Sequence, residues 1–230
     1  MPWRACKALA AELLRTGRTA SERTAGAALV LQFDLYARPS EALGLQYGDL
    51  HGAGRSGIFA VVIRPQNANE EGDAADLAAA RGGQRRAQPS KNGSVDGSVL
   101  VGEAASEKAG RGIVKFFLGA LVAARRHHLR KLFPISLAEF ESTLKKAAAV
   151  LNLTSMRMTP HTARHGGASE DYFQIARDIK SIQARGRWES PRSVGRYRKP
   201  GKLCRQLTLL DDARLRPVSE KQLVAWATHQ

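Results

Sequence analysis

Cysteine is nearly absent: Cys6 and Cys204 are the only two in 230 residues. They lie far apart and form no Cys-x-x-Cys pair. The sequence therefore indicates neither a zinc module nor a disulfide framework, and a reducing compartment is the default. Acidic residues are short relative to basic ones, 21 against 36. Those between His161 and Tyr197, namely Glu170, Asp171, Asp178 and Glu189, are scattered and face no obvious partner. They do not suggest the carboxylate cluster of a two-metal nuclease. No apolar run approaches the roughly 18 residues of a membrane span. There is no internal repeat and no lysine-rich import cluster. Aromatic residues make up 6% of the chain, and tyrosine is confined to Tyr36, Tyr47, Tyr172 and Tyr197.

What is present is an apolar fraction of 43%, enough for a real core, and a formal charge of +15 carried by 25 Arg and 11 Lys. The length allows one large domain or two small ones. The planar guanidinium fork suits bidentate contacts with phosphate. A surface this basic attracts polyanions, nucleic acid first and acidic membrane second. A structural RNA binder is the plainest protein that fits the charge alone. The start, residues 1–18, fits a transit peptide or an ordinary first helix.

Local patterns predict a mainly α-helical chain with a small antiparallel β-sheet or hairpin. Helical spacing covers 5–15, and a mostly apolar helix covers 24–35, with Thr19 or Ser21 as its cap. Arg38 stands at the junction with the next helix, whose first turn holds Pro39. Residues 47–50 close that helix and 51–57 read as a turn. The β-branched run 58–63 is a predicted strand. Residues 65–90 read as a long loop, with a short helix over 73–81. Asn92-Gly93 signals a tight turn, placing Lys91 at a hairpin tip ahead of a strand at 98–101.

The most apolar helix is predicted over 111–125. The run Arg125–Lys131 after it reads as a solvated or phosphate-facing patch. Capping boxes at Ser136 and Ser219 start further helices. Thr159 caps another, with Pro160 at its first position and His161, Arg164 and His165 on one face. A helix over 172–185 with Ile175, Ile179 and Ile182 as its inner stripe ends at Gly186. Arg187 and Trp188 follow it, and a short helix bears Tyr197.

These residue types suit phosphodiester chemistry. A phosphate passing through a pentacoordinate state gains charge on its non-bridging oxygens and needs several donors aimed at them. Arg38, Arg164 and His161 can supply these, and Trp188 can donate or pack but cannot titrate. Lys91 is the candidate general acid. Tyr197 is the candidate nucleophile, its phenolate favoured by surrounding cations, with His161 or His165 to take the proton. Glu41 reads as a support for Arg38. Arg85, Arg86, Arg187, Arg192 and Arg196 are candidates for contacts to a DNA backbone.

The segment Arg38-Pro-Ser-Glu41-Ala-Leu-Gly-Leu, the box His161-x-x-Arg164-His165, and Trp188 nine residues before Tyr197 together resemble the catalytic domain of the tyrosine recombinase (phage-type integrase) family. The resemblance covers about residues 24–200, and its box-to-tyrosine part is the specific one. It implies a DNA breaking-rejoining fold. It implies strand cleavage and rejoining through a 3′-phosphotyrosyl intermediate without metal, ATP or other cofactor, as in integration, excision or transposition. It implies Arg38, Lys91, His161, Arg164, Trp188 and Tyr197 as catalytic residues, with Glu41 and His165 in support. Its partners are double-stranded DNA and further copies of the chain, a tetramer in the family, with no membrane. The compartment implied is the cytoplasm of a prokaryotic host or a eukaryotic nucleus. In this division residues 1–23 are an N-terminal helix and connection, the remnant of a DNA-clamp domain. Residues 24–202 are the catalytic domain, with 65–90 as an insertion, and 203–230 are a tail suited to exchange between subunits. The alternatives are a non-cleaving DNA-binding relative, a DNA-relaxing enzyme of the type IB topoisomerase kind, and a nucleic-acid scaffold.

Overall fold

The computed structural model describes residues 1–17, 19–52, 57–63, 97–195, 197, 200–210 and 215–229. The fold is mainly α-helical with a small antiparallel sheet of three strands. Its first helices are α1 (Trp3–Thr16), α2 (Ala20–Leu35) and α3 (Pro39–Gly44). The sheet follows, with β1 (Leu50–Gly52), β2 (Phe59–Val62) and β3 (Ser98–Val101). Next come α4 (Ala104–Lys108), α5 (Ile113–Ala123), α6 (Leu137–Val150) and α7 (Pro160–Phe173). The chain ends with α8 (Ile179–Arg185), α9 (Pro191–Gly195), α10 (Pro200–Thr208) and α11 (Glu220–Thr228).

The core is built around α2. Thr19 caps it by accepting the Glu22 N–H, and Glu22 returns the bond to the Thr19 N–H. From Thr24 to Leu35 every residue is buried. A helix without a polar face must be enclosed on all sides, and α1, α6 and α7 pack around this one. Gly167 lets α7 approach closely: a Cβ there would stand 2.2 Å from the Phe33 carbonyl oxygen and 2.6 Å from the Tyr36 ring. The last helix, α11, belongs to the same core. Trp226 stacks on Phe133 at 5.7 Å and meets Phe117 edge-on at 5.8 Å.

The strands run in the order β1-β2-β3, with Leu50 opposite Val61 and Phe59 opposite Val101. Val61, Val99 and Val101 are buried against the helices. Residues 51 and 52, expected in a turn, instead pair with Ala60 and Phe59. The partner strand, not local composition, makes them extended.

Three helix expectations are corrected. The short helix expected to bear Tyr197 ends at Gly195 and leaves Tyr197 in the turn after it. Residues 172–185 are not one helix. It breaks after Phe173, Ile175 takes a left-handed φ of 52°, and Asp178 caps α8 by accepting the Ser181 N–H. Ile175 is 78% exposed rather than part of an inner stripe, while Ile182 is buried. The predicted helix over 111–125 is shorter, Ile113–Ala123, and it turns Phe116 and Val122 outward. The helix expected over 73–81, the loop over 65–90 and the turn at Asn92-Gly93 lie outside the described residues. No described helix is long and apolar enough to cross a membrane.

Candidate active site

The site begins where α2 ends. Tyr36 adopts a left-handed φ of 49°, a conformation that side chains other than glycine, asparagine and aspartate seldom take. This bend turns the chain so that Arg38 becomes the N-cap of α3, with Pro39 next. Glu41 then faces back. Its carboxylate accepts from the Arg38 N–H at 2.6 Å and from Arg38 Nη1 at 2.6 Å. It also accepts from Arg187 Nη2 at 2.7 Å and lies 3.6 Å from Arg164 Nη1. Burial pushes the Glu41 pKa up, but Arg187, the Arg38 N–H, Arg164 and the Arg38 guanidinium outweigh it and hold the group below its usual range. Among the described residues Glu41 is thus the shared ion-pair partner of three guanidiniums, three cations against one carboxylate.

Helix α7 supplies the next wall. Thr159 caps it, Pro160 occupies its first turn, and the Gln32 amide donates to the Pro160 carbonyl at 2.9 Å and the Ala37 carbonyl at 3.2 Å. The buried Gln32 therefore ties the start of α7 to the bend before Arg38. Arg164 donates to the carbonyls of Tyr36 and Gly186, which leaves donors of its fork over. Burial lowers its pKa to about 10 while Glu41 opposes the change, so it remains a cation at neutral pH.

Rings fill the remaining space. The Arg164 guanidinium lies 4.8 Å from the centre of the Trp188 ring, and Trp188 packs on Tyr197 at 4.6 Å. His165 packs on Tyr197 at 5.1 Å and meets His161 edge-on at 5.2 Å. A Cβ on Gly186 would stand 2.0 Å from the Trp188 ring, so glycine is what allows the indole to fold back. Loss of solvation, then His161 and Arg164, lower the His165 pKa to about 4. Its imidazole is neutral at pH 7.

Of the residues singled out in the sequence, Arg38, Glu41, His161, Arg164, His165, Trp188 and Tyr197 form one continuous chain of contacts. Arg187 joins them, turned inward to Glu41 rather than outward. Tyr197 is buried, and Arg192 is exposed on α9. Tyr172 borders the same small apolar cluster as Tyr36 and Tyr197. Lys91, Arg85, Arg86 and Arg196 lie outside the described residues. Gly97 and Ser98, at the entry to β3, line a cleft of about 720 Å³ that Arg187 and Trp188 also line.

No family model, curated protein or solved structure matches this chain.

Behind the site lies a buried charge network. Asp34 accepts from Arg111 Nε at 2.6 Å and from Arg185 Nη2 at 2.8 Å. Asp171 accepts from Arg111, Arg177 and the Tyr36 hydroxyl. Glu103 accepts from Arg177 at 2.5 Å and Arg185 at 2.9 Å. Burial raises the Asp34 pKa, but Arg185, Arg111 and Arg177 overcome it and bring the net shift below the usual range. Three of the four acids expected to face no partner are therefore corrected. Asp171 is a hub of this network, Glu170 accepts the Trp3 N–H at 2.6 Å, and Asp178 is a cap. One signal in the sequence pointed this way: Asp34 sits inside a mostly apolar helix, and a buried carboxylate needs a partner.

Proposed function

We propose that the chain cuts and rejoins DNA strands by tyrosine-recombinase chemistry, in a tyrosine-recombinase-like fold. The observation that carries this reading is the gathering of Arg38, Arg164 and Arg187 on the single carboxylate of Glu41, with Tyr197 two ring contacts away. A cation cluster with one acid is short of negative charge, and a phosphodiester supplies it. Arg38 and Arg164 hold the non-bridging oxygens, and His161 donates to one of them. The Tyr197 oxygen attacks phosphorus, an O–P bond forms, and the bond to the 5′ oxygen breaks. His165, neutral and against the Tyr197 ring, is the nearer acceptor for the phenol proton. Lys91 returns a proton to the departing 5′ oxygen. The bond energy stays in the phosphotyrosyl link, so rejoining requires no ATP. The partners are duplex DNA and further copies of the chain, and no cofactor takes part.

Tyr197 must leave its stack with Trp188 and His165 to reach the phosphate. Its burial favours a second reading, a DNA-binding relative that does not cleave. A nicked suicide duplex followed by denaturing electrophoresis separates the two. Cleavage gives a DNA-linked protein band that is lost in Tyr197→Phe and kept in Tyr172→Phe. Duplex binding without any such band assigns the protein to the second reading.

A further inference from the structure

We propose that a groove beside Tyr197 holds the phosphate backbone of the DNA strand flanking the scissile phosphate, with Arg157, Lys202 and Arg205 as its contacts. This rests on the strand-cleavage reading for its register, though not for its charge. The groove measures about 1070 Å³ and runs between the start of α7, the turn at Thr154–Met156 and α10. Tyr197 and His165 line it, so it opens directly onto the candidate nucleophile.

The wall chemistry decides what fits. Arg157, Lys202 and Arg205 line the groove and are exposed. None of these three side chains has an ion-pair partner among the described residues. Among the described residues lining the groove there is no carboxylate. The contrast with the neighbouring site is sharp: there the guanidiniums of Arg38 and Arg187 already rest on Glu41. The hydroxyls of Ser155 and Ser169 add neutral donors, and Met156 and Leu203 give an apolar floor. Such a groove suits a sugar-phosphate strand, with cations on the phosphates and apolar surface against the sugars.

The experiment uses the full chain and a fluorescent duplex. Affinity is measured from 50 to 200 mM salt for the wild type, for Arg157→Gln/Lys202→Gln/Arg205→Gln, and for a control of equal charge loss, Lys145→Gln/Lys146→Gln/Lys221→Gln. Each phosphate contact adds about 0.9 to the slope of log affinity against log salt. The groove triple variant is expected to lower that slope by about 3, and the control by less than about 1. Shortening the duplex arm on one side of the scissile phosphate should abolish the difference, and shortening the other arm should not.

Equal slopes for the two triple variants overturn the groove while a Tyr197-linked band leaves strand cleavage standing. A slope loss confined to the groove variant, with no linked band from any substrate, supports the groove and rejects cleavage. A wild type that binds no duplex overturns both.

Discussion

Replacing Asp171 with asparagine removes the charge that two buried guanidiniums share. Asp171 and Arg111 are both fully buried, and the Arg177 side chain is 4% exposed. The Tyr36 hydroxyl donates to the same carboxylate. With Asp171 neutral, Arg111, Arg177 and Arg185 have only Asp34 and Glu103 between them. Breaking a buried ion pair by removing one partner costs about 3–5 kcal/mol, because the remaining charge stays desolvated. Asparagine can still accept one hydrogen bond, so the lower figure, about 3 kcal/mol, is expected. For a chain of this size that lowers the melting temperature by about 6–12 °C. Urea denaturation and thermal melting monitored by circular dichroism give both numbers. The surface pair Lys115–Glu107, with Glu107 51% exposed, is the control, and Glu107→Gln should change stability by less than about 1 kcal/mol. A shift in Asp171→Asn no larger than this control would refute the idea that the network holds the fold together.

Tyr36→Phe keeps the ring and removes one donor from Asp171, so a loss of about 1–3 kcal/mol is expected in the same denaturation assay. Gly186→Ala forces Trp188 out of its present place. Quenching of tryptophan fluorescence by iodide should increase, while far-ultraviolet circular dichroism should stay the same. The pH dependence of stability carries a separate sign. The His165 pKa is lowered from 6.5 to about 4 in the folded chain, so between those values the unfolded state binds more protons and stability rises with pH. Above pH 6.5 this contribution is constant, and His165→Gln should flatten the rise between about pH 4.5 and 6.5. Asp34 and Glu41, both lowered, contribute stability above the ordinary carboxylate range that is lost only as pH falls below it.

Helix starts were legible because caps are local. Ser136, Thr159 and Ser219 each accept the backbone N–H three residues on, and the residue types alone announce that bond. Strand β1 was not legible, since His51 and Gly52 are extended only through β2. The break after Phe173 was hidden by an isoleucine spacing that continued across it. Asp171 reaches Arg177, and Asp178 caps α8, and these polar bonds outweigh the apolar period. In the site, Arg38, Arg164, Trp188 and Tyr197 stood out as residue types with a spacing. What the spacing could not show was direction: Arg187 turns in to Glu41 rather than out to solvent. Asp34 signalled a buried partner, but which residues supply it could not be read, because they are distant in the chain, as Arg111 and Arg185 are from Asp34.

Strand cleavage of the proposed kind joins Tyr197 covalently to DNA. Incubation with a suicide duplex, nuclease digestion and peptide mass spectrometry test it directly. The peptide containing Tyr197 is expected to gain the mass of a 3′-phosphonucleotide. Duplex that binds the protein but leaves every tyrosine-containing peptide unmodified, or a nucleotide found on Tyr172 instead, would contradict it.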